Sequence, residues 1–89
     1  MAGHRTRNVM IGGRRTSIRL EAAFWSALEE ILERELLTLN TIITRIHDAR
    51  RSEKNLSGAV RIFILGYFYS LAHQRTPSIP HGHESRTYN

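Results

Sequence analysis

The chain is 89 residues long, which makes one domain at most. A domain with about 60 ordered residues buries only about 60% of the surface its unfolded chain exposes. No cysteine is present, so disulfides, Cys-based zinc sites and thiol nucleophiles are excluded, and self-association is the first candidate for added stability. The formal net charge of +5 is segregated: residues 1–20 carry five arginines and no acid, whereas residues 21–36 carry five glutamates against one arginine. Twelve of the thirteen bases are arginine. Guanidinium pairs bidentately with phosphates and guanine edges, so this balance favours a nucleic-acid partner over mere solubility.

In chain order, residues 1–13 read as a flexible basic arm or an extra strand. Val9, Met10 and Ile11 are followed by Gly12-Gly13, a pair that allows the positive φ angles of a type I′ hairpin turn. Residues 14–20 read as a strand. Thr16, Ile18 and Leu20 alternate there with Arg15, Ser17 and Arg19, giving one apolar face and one face with two guanidiniums and a hydroxyl.

From Glu21 the period changes. Phe24, Leu28, Ile31 and Leu32 recur at spacings of three and four, which predicts an amphipathic helix over 22–35. Glu30 and Arg34 sit at i, i+4 on its polar side. Leu36 follows, and leucine does not readily take the left-handed conformation of a glycine cap, so the turn is expected to differ in shape. Thr38 offers a cap for a second helix over 39–52 with the stripe Leu39, Ile42, Ile43, Ile46 and Ala49. A third helix starts near Leu56 or Ser57, capped by Asn55 or Ser57. It is apolar nearly all round, through Val60, Ile62, Phe63, Ile64, Leu65, Tyr67, Phe68 and Leu71, and is therefore expected to be buried on more than one side. Residues 73–89, with Pro77, Pro80 and Gly82, read as a disordered tail.

A lone strand needs a partner for its backbone groups. Two copies of residues 14–20 pairing antiparallel about a two-fold axis would satisfy each other. The resulting two-stranded ribbon suits the major groove, with Arg15, Ser17 and Arg19 of both chains on its outer face. These residues resemble the ribbon-helix-helix DNA-binding family of the Arc/MetJ type, without a gap from Arg15 to about Ile46. Within it, the stretch Arg15 to Glu21, with Phe24-Trp25 and later Asn55-Leu56-Ser57 and Arg61, is similar to a group of uncharacterised bacterial ribbon-helix-helix domain proteins.

The resemblance implies a mainly α fold with a short strand, β-α-α plus an extra C-terminal helix over 14–72, as an intertwined homodimer forming an antiparallel ribbon. It implies base contacts from Arg15, Ser17 and Arg19, and a phosphate held at Thr38, Leu39 and Asn40, where a helix start also binds anions for physical reasons. Arg14, Arg5 and Arg7 join the expected phosphate contacts. Ile18, Leu20, Phe24, Trp25, Leu28, Ile42, Ile46 and Phe63 are the expected dimer core. Pairing of Val9–Ile11 with residues 14–18 would instead give four strands across a dimer.

The expected function is sequence-specific binding of double-stranded DNA by a cytoplasmic, nucleoid-associated transcriptional repressor. A homodimer, or a higher oligomer, is expected. One alternative is an antitoxin or adaptor that holds a protein partner through residues 73–89; another is a helix-turn-helix DNA binder using the second and third helices. Trp25 and Phe24 read as packing residues before stacking platforms for bases. His73, His81 and His83 have spacings that make no pre-organised metal site. No enzyme activity, cofactor or membrane span is expected: nucleophile, base and orienting partner do not converge, and the longest apolar run, Ile62 to Leu65, is four residues.

Overall fold

The computed structural model describes residues 3–49 and 55–81. Gly12 and Gly13, at φ 59° and 79°, reverse the chain in a two-residue turn. The turn joins β1 (His4–Ile11) to β2 (Arg14–Glu21), which pair antiparallel along their full lengths from His4↔Glu21 to Ile11↔Arg14. Val9–Ile11 is thus the end of an eight-residue strand. A two-stranded ribbon forms within one chain. Its physical reason is proximity: a two-residue connection carries the least closure entropy of any pairing open to β2.

Three helices follow: α1 (Ala22–Glu35), α2 (Leu39–Ala49) and α3 (Leu56–Ala72). The first has the expected bounds. The second stops at Ala49, and residues 50–52, which the sequence places in it, lie outside the described part. One face of the hairpin packs on the helices, α2 running beside β1 and α3 against β2 and α1. Val9, Ile11, Ile18 and Leu20 from the hairpin meet Trp25, Leu28 and Ile31 of α1, Ile42, Ile43 and Ile46 of α2, and Val60, Ile64 and Tyr67 of α3.

The residues expected in a dimer core form a core within one chain. Ile18, Leu20, Trp25, Leu28, Ile42 and Ile46 are no more than 4% exposed inside a single chain, and Phe24 and Phe63 pack half-buried on the same cluster. The additional strand and third helix supply cover that the sequence reading sought in a second copy. The third helix is also only half enclosed: Val60, Ile64 and Tyr67 are buried, while Ile62, Leu65 and Tyr69 stand 73%, 67% and 55% exposed in a stripe along its outer side. The segment after it is not free throughout, since Ile79 packs against the core. Residues 82–89, including His83, lie outside the described part.

Local chemistry explains the helix ends. Leu36 takes the left-handed conformation after all, at φ 57° and ψ 47°, and its N–H reaches the Leu32 carbonyl. That conformation costs an L-residue roughly 1–2 kcal/mol. The 89%-exposed side chain recovers little of this by packing. Leu36→Gly should therefore raise stability by about 0.5–1 kcal/mol, the gain remaining after the greater freedom of glycine in the unfolded chain; urea denaturation reads it as a higher midpoint at unchanged slope. Asn55, also left-handed, caps α3 by accepting from the Gly58 N–H at 2.8 Å. The Tyr67 hydroxyl donates to Glu35 Oε2 at 2.6 Å. Burial and that carboxylate push its pKa up to about 12.

Candidate nucleic-acid interface

In an antiparallel pair, residues directly opposite each other project from the same face. The register puts Arg5/Leu20, Arg7/Ile18, Val9/Thr16 and Ile11/Arg14 toward the helices, and Thr6/Arg19, Asn8/Ser17 and Met10/Arg15 outward. All six of these outward residues are exposed. Arg15, Ser17 and Arg19 are therefore brought together as expected, but their companions are Thr6, Asn8 and Met10 of the same chain. On the middle rung the Ser17 hydroxyl donates to Asn8 Oδ1 at 2.8 Å.

The nearest acid on this face, Glu21, closes the end of the ribbon rather than its middle. Its carboxylate accepts from Arg61 Nε at 2.9 Å and lies 3.3 Å from His4 Nε2. The hydrogen bond from Arg61 holds its pKa below the usual carboxylate value. Arg61 also lies over the Phe24 ring at 5.9 Å. One guanidinium thus ties α3 to the junction of β2 and α1.

The expected phosphate contacts separate into groups. The helix start behaves as predicted of a cap, with Thr38 Oγ1 accepting from the Thr41 N–H at 3.1 Å. Its neighbour Asn40 accepts from the Met10 N–H at 3.2 Å, which fixes the first turn of α2 against the free edge of β1. The Leu39 and Asn40 N–H groups in that first turn have no intrahelical acceptor. A positive helix end therefore stands beside the ribbon. Arg5 is exposed and its carbonyl accepts from Trp25 Nε1 at 2.9 Å. Arg14 lies on the inward register beside the turn, lining a cleft of about 540 Å³ with Thr16, Thr44, His47 and Asp48.

Arg7 departs from the expectation. Its guanidinium is 2.7 Å from Glu29 Oε2 and 4.7 Å from the centre of the Trp25 ring, so it clamps β1 to α1. The inward register is the cause: a long side chain opposite Ile18 can reach only the helix layer.

A family model described as a ribbon-helix-helix domain matches residues 4–68, from the first residue of β1 well into α3. The chain belongs to the ribbon-helix-helix domain family. No curated protein and no solved structure matches it. Membership places this ribbon-helix-helix protein in the class of DNA-binding transcription regulators, a family that usually binds DNA as dimers. The helix-turn-helix alternative falls with that assignment, and α3, which it needed as a reading helix, spends Val60, Ile64 and Tyr67 on the core. Among the described residues no helix is long and apolar enough to cross a membrane.

Thr6, Asn8 and Met10 escaped the sequence reading. Their signal is a period of two running back from Ile11 through Val9, hidden because the inward positions before Val9 are Arg7 and Arg5. The Glu21–Arg61 bond joins residues 40 apart in the chain and leaves no local signal.

Proposed function

We propose that this protein recognises specific double-stranded DNA sequences by laying β1–β2 in the major groove, and that it acts as a transcriptional repressor. The observation that carries the reading is the outward face of the hairpin, where Arg15 and Arg19 flank Asn8 and Ser17 with no carboxylate among them. Two strands about 5 Å apart fit a groove about 12 Å wide. Arg15 and Arg19 donate in pairs to guanine O6 and N7, and the Asn8/Ser17 rung stands between them. Arg5, Arg14 and the start of α2 at Thr38, Leu39 and Asn40 meet the flanking phosphates. Arg7 has no part in this, being committed to Glu29 and Trp25.

The active form in this reading is a homodimer. The stripe Ile62, Leu65 and Tyr69 on α3 supports it, since an apolar face of one helix can pack on its own copy about a two-fold axis. Two ribbons then read two halves of a symmetric operator. The adaptor alternative receives less support: as far as His81, the segment that would hold a partner docks Ile79 on the chain's own core.

Fluorescence anisotropy with duplexes selected from a random pool tests the reading. Affinity should fall at least about a hundredfold between 50 and 200 mM salt, because the positive groups displace condensed counterions. Selected duplexes should also bind more tightly than scrambled ones throughout. Equal affinity for both, or binding indifferent to salt, would overturn it.

A further inference from the structure

We infer that Asn8 is the adenine-reading residue of the ribbon and that Ser17 acts through it, by holding its carboxamide in register. The inference rests on the reading of the hairpin as the groove-inserted element. It concerns a residue of β1, outside the stretch that carries the expected base contacts.

The chemistry of an asparagine facing the major groove is narrow. Adenine presents N7 as an acceptor and its N6 amino group as a donor, and a carboxamide matches both at once through Nδ2 and Oδ1. That match discriminates only if the amide plane is held, because a freely turning carboxamide can offer either end to any base edge. Here it is held. The Ser17 hydroxyl, directly across the ladder, donates to Asn8 Oδ1 at 2.8 Å. One lone pair of Oδ1 is thereby occupied, leaving the other for the adenine amino group and the Nδ2 hydrogens for N7. The Ser17 proton is committed to Asn8, so Ser17 is a positioning residue at this rung.

Position along the ribbon adds a second constraint. Outward rungs follow one another every two residues, about 7 Å, which is about two base-pair steps. Asn8/Ser17 is the middle of the three outward rungs that carry no carboxylate, with Met10/Arg15 on one side and Thr6/Arg19 on the other, while the fourth, His4/Glu21, closes the end of the ribbon. The adenine therefore lies between the two guanines assigned to Arg15 and Arg19. A half-site with an A·T pair inside a guanine frame is the recognition pattern this face specifies.

Sequence selection from a randomised duplex pool, run in parallel on the wild type, Asn8→Ala, Asn8→Asp and Ser17→Ala, tests the assignment, with far-UV circular dichroism to show that each variant is folded. The wild type should select adenine at one position between two guanines. Asn8→Ala should lose that single preference, a discrimination of about 5- to 100-fold, and keep both guanines. Asn8→Asp retains the acceptor and loses the donor, so its preference should move toward cytosine, whose N4 amino group donates. Ser17→Ala should still select adenine, but several-fold less sharply, which a purely structural role would not produce. A wild-type preference left unchanged by Asn8→Ala, or one containing no adenine, overturns the assignment while the DNA reading stands. A wild type with no sequence preference overturns both.

Discussion

Replacing Arg15 and Arg19 together with alanine should remove most of the sequence preference while leaving the protein folded. Both side chains are exposed on the outward face, so neither contributes to the core, and surface changes of this kind shift stability by about 0.5 kcal/mol or less. Each bidentate contact with guanine carries about 1–3 kcal/mol of discrimination. The pair, too far apart on the strand to share a base, should act roughly additively. Affinity for a selected duplex should then drop by about 30-fold to 10⁴-fold toward that for scrambled DNA. Anisotropy titrations at fixed salt, beside urea denaturation of the same samples, separate loss of reading from loss of fold.

The largest effect on stability is expected at Trp25. Its side chain is 2% exposed, its Nε1–H is bonded to the Arg5 carbonyl, and Arg7 lies over its ring. Together with the Arg7–Glu29 pair it ties α1 to β1. Trp25→Ala should cost about 3–5 kcal/mol from lost packing and cavity formation. The Arg5 carbonyl, deprived of its donor, adds about 1 kcal/mol or more. Folded domains have only about 5–15 kcal/mol in total, and one this small sits toward the low end. Far-UV circular dichroism should therefore show a largely unfolded population at physiological temperature. A variant retaining wild-type thermal unfolding would mean that β1 is not held in this way.

The contrast between those two sites shows how far the sequence could be read. Helix α1 was legible to the residue because Phe24, Leu28 and Ile31 alternate with glutamates at helical spacing, and period is a local property. The turn at Gly12-Gly13 was legible for a similar reason. The length of β1 was not, because Arg5 and Arg7 occupy inward positions where a strand usually carries apolar side chains. The fold resolves that conflict over a distance, by stacking Arg7 on Trp25 and pairing it with Glu29. Leu36 shows tertiary demand overriding local preference: the chain must turn there, and leucine is forced into a conformation that glycine takes without cost.

The site followed the same division. Arg15, Ser17 and Arg19 share a face because strand side chains alternate, which is readable from a seven-residue window. Asn8 joins them only through register, and register depends on which residues form the turn. Read alone, residues 14–20 lack a partner strand for the same reason. Once β1 pairs with β2 and α3 closes on α1, the chain has a core of its own, and among the described residues the large apolar side chains left exposed are Met10, Leu36 and the outer stripe of α3.

The claim that the outward face of this hairpin reads bases from the major groove is tested most directly by methylation interference on a selected duplex. Dimethyl sulfate methylates guanine N7 in the major groove and adenine N3 in the minor groove. Methylation of the two guanines facing Arg15 and Arg19 should block wild-type binding, and each block should be relieved in the corresponding alanine variant. Interference confined to adenine N3, or guanine interference that neither variant alters, would contradict the account.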